Sequence, residues 1–296
     1  MLESIRHWLL AARPKTLPAA VVPVWIGTVL ADRLLGDGGI KPVLAWCTLL
    51  SAVAIQVATN FFNDALDAEK GADTERRLGP QRASASGLIG APVMLRAACI
   101  ALVVAVALSL PMVLARGLPI IAIGLCSMIC AYAYTGGPFP LAYRGMGEIF
   151  VIFFFGIVAV AGTVYVQTGT LEAVGILVGI QVGLYSSVLI AINNLRDQAE
   201  DECSRKFTLA VLFGQTFAEV EIAVFCLLPL LLGGIWFAFG QLWGQAAIFP
   251  LALLPLSAAI IAGVWGNVPG RIYNRFLAMS AAQLVGFAIL FTLAAN

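Results

Sequence analysis

The chain has 296 residues, 61% of them hydrophobic and 11% charged, with a formal net charge of +1. An ordinary soluble domain carries about a quarter charged residues, so this composition excludes a soluble globular enzyme and indicates a membrane protein. The near-neutral balance also excludes the basic face of a nucleic-acid binder.

The one histidine is His7, and five of six cysteines (Cys47, Cys99, Cys126, Cys130 and Cys226) lie in apolar stretches, with Cys203 in a polar loop. Zinc, haem and iron–sulfur sites need clustered His or Cys ligands and are excluded. Cys126 and Cys130, one helical turn apart among Ile, Leu and Met, read as small buried residues and not as part of a disulfide framework.

Leu2, Ile5, Trp8, Leu9 and Ala12 recur at helical spacing, while Arg13 and Lys15 interrupt the apolar run. The N-terminus therefore reads as an interfacial helix over residues 1–13, ending at Pro14, and not as a signal peptide. Apolar runs of about 17 to 25 residues mark spans. Nine are expected: 17–31, 42–62, 93–115, 118–134, 147–166, 174–192, 217–239, 248–265 and 276–293. With the N-terminus inside, Arg6, Arg13, Lys15, Lys70, Arg76, Arg77, Arg82, Arg96, Arg144, Arg196, Arg205, Lys206, Arg271 and Arg275 face the cytoplasm, 14 of 17 basic residues, leaving Arg33, Lys41 and Arg116 outside. This asymmetry supports both count and orientation, and puts the C-terminus outside. The expected fold is an all-α membrane protein, a single transmembrane domain over 1–296 whose helices surround a central cavity open to the cytoplasm.

After the second span, Asn60, Asn63, Asp64 and Asp67 share one helical face, and Gly71 is the expected stop. After the sixth, Asn193, Asp197 and Asp201 follow at i, i+4 and i+8, with Asn194 beside them. An Asp at the centre of a span costs about 2.5 to 3.5 kcal/mol, so the acids belong at the membrane edge or in a wet cavity. Solvated helix ends would also satisfy that requirement. Facing each other, two like charges ~4 Å apart repel by about 4 kcal/mol at an effective dielectric of about 20, so a cation must compensate. Oxygen donors without His suit Mg²⁺, which bridges to substrate phosphates.

The segments Asn63-Asp64-Ala65-Leu66-Asp67 and Asp197-Gln198-Ala199-Glu200-Asp201 resemble the Asn-Asp-x-x-Asp and Asp-x-x-x-Asp marks of the intramembrane aromatic prenyltransferase superfamily. Arg13-Pro14-Lys15-Thr16-Leu17, Gly71-Ala72-Asp73-Thr74 with Gly79-Pro80-Gln81-Arg82, Tyr134-Thr135-Gly136-Gly137-Pro138 with Tyr143-Arg144-Gly145, and Lys206-Phe207-Thr208-Leu209-Ala210-Val211 bring the likeness closest to the 1,4-dihydroxy-2-naphthoate polyprenyltransferase branch of menaquinone synthesis. Ser204, Leu212 and Phe213 depart from that branch's usual Gly, Arg and Leu.

The resemblance implies a Mg²⁺-dependent transfer of a polyprenyl group from its diphosphate to the naphthoate, with loss of CO₂, in a bacterial inner membrane. It implies Asn63, Asp67, Asp197 and Asp201 as metal ligands, with Asp64 and Asn60 in support. Arg82, Lys206 and Arg144 would meet phosphate oxygens, Asn193 and Asn194 would line the substrate site, and Tyr134 would face the allylic cation or the diphosphate. Arg13 and Lys15 would meet the acceptor carboxylate, although anchoring of the first span explains them equally well. Phe61, Phe62, Phe153, Phe154 and Phe155 are candidates for lining the tail route, with ordinary packing as the alternative. Other acceptors, 4-hydroxybenzoate or homogentisate, would serve the same chemistry. A transporter is the rival of a different class, disfavoured because the acids lie at helix ends and not at the midplane.

Overall fold

The computed structural model describes residues 2–71, 78–79, 82–239 and 244–295. Residues 72–77, 80 and 81, which include Asp73, Arg76, Arg77 and Gln81 of the sequence reading, lie outside the described residues. Among the described residues the regular structure is helical, with one backbone pairing, parallel, between Arg144 and Phe207.

In chain order the helices are α1 (Leu2–Ala12), α2 (Pro18–Gly38), α3 (Pro42–Glu69), α4 (Ala91–Arg116), α5 (Leu118–Ala133), α6 (Gly147–Thr168), α7 (Ala173–Arg196), the short α8 (Gln198–Cys203) and α9 (Leu209–Phe213), α10 (Gln215–Phe239), α11 (Gly244–Trp265) and α12 (Tyr273–Ala295). Proline in the first turn starts α2, α3, α4 and α5, where its missing N–H has no intrahelical partner to lose. Glycines at positive φ stop α4 at Gly117 and α6 at Gly169.

Eight of these helices are long and apolar enough to cross a membrane. The fourth expected span is the shorter α5, whose 16 residues rise only ~24 Å against a hydrocarbon core of about 30 Å. α3 runs on to Glu69, about two turns past the apolar segment, before Lys70 and Gly71, the latter at φ 66°, end it as the sequence predicts.

α7 is the hub, with 78% of its most apolar stretch buried against 17–44% for the other spans. Gly175, Gly179 and Gly183 repeat every fourth residue along it, and small residues at that spacing let helix backbones approach closely. Gly179 and Gly183 approach residues 151–158 of α6, which wind as a π-helix, and Gly175 faces Ala161; a Cβ added at Gly183 would sit 2.6 Å from the Ile152 carbonyl oxygen. Buried polar contacts tie α7 to α10: Gln181 Nε2 donates to the Pro229 carbonyl at 2.7 Å and Trp236 Nε1 to Gln181 Oε1 at 3.0 Å. Gln283 Nε2 on α12 donates to Ser257 Oγ on α11 at 2.8 Å.

Helix ends collect on two faces. On one, Arg116 Nε and Nη2 donate to the Val166 and Gln167 carbonyls at 2.8 and 2.6 Å, and Gln167 Oε1 accepts the Lys41 N–H at 2.8 Å. Arg116 and Lys41, placed on one side by the charge asymmetry, thus meet there. The other face gathers the C-terminal ends of α3, α5 and α7 with the N-terminal ends of α6 and α12, and both acidic motifs lie on it.

Candidate active site

The last turns of α3 carry the first motif. Asn60 Nδ2 donates to the Ala12 carbonyl at 2.9 Å and to Thr16 Oγ1 at 3.2 Å, pinning the elbow between α1 and α2 to the site. At that elbow Arg13 takes a left-handed conformation, φ 50° and ψ 70°, rare for a residue with a side chain. Pro14 after it disfavours the α region, and Thr16 bonds back to the Arg13 carbonyl through both N–H and Oγ1. Asn63 Oδ1 accepts a hydrogen bond from Thr135 Oγ1. Asp64, buried, takes the Ala83 and Ser84 N–H groups at 3.1 and 2.7 Å, so both its oxygens staple the 82–89 turn onto α3.

Asp67 is held from two sides. Arg82 Nη2 approaches Oδ2 at 3.3 Å, and the Tyr143 hydroxyl donates to Oδ1 at 2.8 Å. Burial first, then the Asp67 charge, pushes the Tyr143 ionisation far up, which keeps the phenol protonated as a donor. Lys70 lies over the Tyr143 ring, 4.3 Å from its centroid, and donates to the Thr135 carbonyl.

The second motif departs from the expected continuous helix. α7 ends at Arg196, Asp197 sits at a break with φ −97° and ψ 9°, and α8 follows. The Asp201 N–H still reaches the Asp197 carbonyl at 2.9 Å, so the two acids keep their one-turn relation across the break. Arg196 holds Asp197 bidentately, Nε to Oδ1 at 2.7 Å and Nη2 to Oδ2 at 2.6 Å, and reaches Asn193 Oδ1 at 2.8 Å. Lys206 Nζ holds Asp201 Oδ1 at 3.2 Å. Asn194, one residue on, turns to α6, where its Nδ2 donates to Glu148 Oε1 at 2.7 Å.

Two loops join the motifs. The Tyr143 carbonyl accepts the Phe207 N–H at 3.3 Å in the Arg144–Phe207 pairing, so the residue that holds Asp67 also anchors the loop that carries Lys206. Asn274, in the first turn of α12, accepts from Arg196 Nη1 at 2.8 Å and donates to the Leu78 carbonyl at 3.4 Å, linking the second motif to the loop after the first. Tyr134 and Tyr143 each feel the charges of both Asp67 and Asp201.

Tyr134 also lines a cavity of about 200 Å³ bounded by α2 to α6. Its walls are apolar and small-sided, including Ala20, Ala52 and Gly162, and it runs along α6 from Phe150 to Val166. Phe154 and Phe155 line it. Phe153 is exposed, Phe61 packs edge-on against Trp8, and Phe62 packs against Tyr132, so these three serve packing or the lipid face.

Lys15 and Arg144 are both exposed, and the Arg144 guanidinium lies over the Phe139 ring 3.9 Å from its centroid. Arg13 is half-buried and acts electrostatically on Tyr134. Sequence reading gave no site role to Arg196, Tyr143, Glu148 or Asn274. For Arg196 the signal was present, since an Arg flanked by Asp197 and three residues after Asn193 shares their helical turn. The other three are brought in by loops and neighbouring helices.

Among the described residues no three of His, Cys, Asp and Glu stand close enough to form a metal site by themselves. Each of Asp67, Asp197 and Asp201 is instead paired with a base, Arg82, Arg196 and Lys206 respectively. An all-oxygen set of carboxylates plus Asn63 fits Mg²⁺, which takes one or two carboxylates and completes its shell with water and substrate phosphate.

Residues 20–291 match the model of the UbiA prenyltransferase family. The chain is 39% identical over 213 residues to the 1,4-dihydroxy-2-naphthoate octaprenyltransferase of Mycobacterium leprae, covering 72% of this chain and 71% of that one. With the enzyme of the same name from Escherichia coli it shares 34% identity over 262 residues, 86% and 84% of the two chains. Among solved structures, a UbiA homolog from Aeropyrum pernix superposes with a TM-score of 0.70 at 14% identity, covering 94% of this chain and 96% of that one. A homolog from Archaeoglobus fulgidus bound to GPP and Mg²⁺ gives 0.66 at 14% identity, over 96% and 99%.

Proposed function

The chain belongs to the UbiA prenyltransferase family, and from this we propose that it transfers a polyprenyl group from polyprenyl diphosphate to 1,4-dihydroxy-2-naphthoate, releasing diphosphate and CO₂ and giving demethylmenaquinol. The observation that carries this reading is the similarity to relatives of that activity over 72–86% of the chain, together with a family match over residues 20–291 that takes in both acidic motifs. It is an integral membrane enzyme. The finer reading has one domain, nine crossings with α5 counted, the acidic face in the cytoplasm, the N-terminus inside and the C-terminus outside, in the cytoplasmic membrane of a bacterium. The shared location of Arg116 and Lys41 on the opposite face supports the alternation of the spans, and the sidedness rests on the 14 of 17 basic residues assigned to the acidic face.

Asn63, Asp67, Asp197 and Asp201 hold the metal, and Mg²⁺ is the ion their oxygen donors suit. When bound, it neutralises the diphosphate and acts as a Lewis acid toward the leaving oxygen. Arg82 and Lys206 stand beside Asp67 and Asp201 and place positive charge where phosphate oxygens arrive. Asn193 and Asn60 set the geometry of the two helix ends, and Asp64 fixes the turn that carries Arg82.

The C–O bond of the allylic diphosphate breaks with its electron pair going to diphosphate. The naphthoate ring attacks the resulting cation, and the ring carboxylate leaves as CO₂, restoring aromaticity. Tyr134, at the junction of the acidic face and the apolar cavity, presents its ring to the developing cation. The cavity takes the first part of the prenyl tail and keeps water from the cation, and Arg13 is aimed at the acceptor carboxylate by its strained elbow.

The test is product formation in membranes containing the protein, supplied with Mg²⁺, an octaprenyl diphosphate and equal amounts of dihydroxynaphthoate, 4-hydroxybenzoate and homogentisate. A prenylated, decarboxylated naphthoquinol as the dominant product is expected. Preference for either other acceptor would reassign the substrate, and no product with any of the three would overturn the acceptor class proposed here.

A further inference from the structure

Arg196 closes α7 with its side chain 1% exposed and every arm of its fork engaged. Nε and Nη2 take the two oxygens of Asp197, Nη2 also takes Asn193 Oδ1, and Nη1 takes Asn274 Oδ1, all between 2.6 and 2.8 Å. The contacts of Arg82 with Asp67 at 3.3 Å and Lys206 with Asp201 at 3.2 Å are longer and single-armed. A divalent cation that takes Asp197 as ligand therefore meets a carboxylate already neutralised by a guanidinium, and stands beside a fixed positive charge. A diphosphate offers that guanidinium an equivalent partner, because phosphate oxygens match the same planar fork.

We propose that Arg196 is a substrate-positioning cation that exchanges partners, giving up Asp197 to the metal as its fork passes to the diphosphate, so that metal and diphosphate bind as a coupled pair. The inference rests on the reading of Asp197 as a metal ligand. Asn274 extends the exchange to the first motif: it holds both Arg196 and the Leu78 carbonyl, four residues before the Arg82 that pairs with Asp67. Before the exchange the buried charges are paired, as buried charges must be.

The experiment uses the purified full chain in detergent, with Mn²⁺ in place of Mg²⁺ so that free metal is counted by electron paramagnetic resonance, and farnesyl thiodiphosphate as an unreactive diphosphate. In the wild type, Mn²⁺ binds weakly alone and about a hundredfold more tightly with the thiodiphosphate, a coupling at the strong end of the usual range. In Arg196→Gln, Mn²⁺ alone binds about tenfold more tightly than in the wild type, because a competing charge is gone, and the coupling falls to about tenfold or less. Arg196→Lys keeps the charge but loses the fork, and lies between the two on both readings; if the Gln variant does not fold, the Lys variant decides by the same signs. Weaker binding of Mn²⁺ alone in the variants would make Arg196 a scaffold for Asp197 and overturn the proposal. Asp197→Asn separates the two levels: Mn²⁺ and thiodiphosphate binding like the wild type would overturn the metal-ligand reading itself, whereas lost binding there with an unaltered coupling in the Arg196 variants would overturn the exchange alone.

Discussion

The Tyr143 hydroxyl donates to Asp67 Oδ1 at 2.8 Å while the carbonyl of the same residue accepts the Phe207 N–H at 3.3 Å. One residue of the loop between α5 and α6 thus grips the first acidic motif by its side chain and the loop after the second by its backbone.

Tyr143→Phe removes the side-chain grip alone. A hydrogen bond to a charged group contributes about 1.5–3 kcal/mol, so the KM for prenyl diphosphate should rise by roughly tenfold or more while the KM for the aromatic acceptor stays within about twofold. Steady-state kinetics with each substrate varied in turn make the check, and an equal rise in both constants would mean that the loop is merely loosened.

Asp64→Asn should act through the 82–89 turn. An amide offers one oxygen where the carboxylate offers two, so one of the Ala83 and Ser84 N–H groups loses its partner. Hydrogen exchange followed by mass spectrometry should show those amides exchanging faster, by about tenfold for each ~1.4 kcal/mol of local stability lost. Protection unchanged from the wild type would show that other contacts hold the turn.

Gly183→Ala should destabilise the bundle by about 1–3 kcal/mol, the usual cost of overpacking, because the new methyl would meet the Ile152 carbonyl on a backbone that has no room to move. Gly162→Ala, with nothing within 4 Å of the added Cβ, should be near neutral. Thermal unfolding of both variants in the same detergent gives the comparison, and equal melting temperatures would contradict the close α6–α7 contact.

The acidic face was legible in the sequence because helical periodicity alone puts Asn60, Asn63, Asp64 and Asp67 on one stripe at the end of an apolar run. Gly71 as the stop followed from the same local chemistry. The break at Asp197 was not legible, since Asn193, Asp197 and Asp201 have identical spacing in a continuous helix and in one that kinks and resumes. Nor did charge alone separate roles: Lys15, Arg144 and Arg196 all read as basic residues of one face, but the first two are exposed and Arg196 is buried against Asp197. Burial of a charge depends on what the rest of the bundle brings alongside, here Asn274 from α12, which no local pattern reveals. The short α5 was legible at the level of the fold, because the apolar run 118–134 gives the helix Leu118–Ala133 to within one residue.

The central claim is that the two acidic motifs act on one diphosphate, and a double-mutant cycle tests it most directly. Magnesium-dependent binding of a prenyl thiodiphosphate would be measured for the wild type, Asp67→Asn, Asp197→Asn and the double variant. Residues sharing one bound group are strongly non-additive, so each single change should abolish most of the binding and the double change should cost little more than either. Losses that simply add, or near-normal binding in either single variant, would show that the motifs work apart.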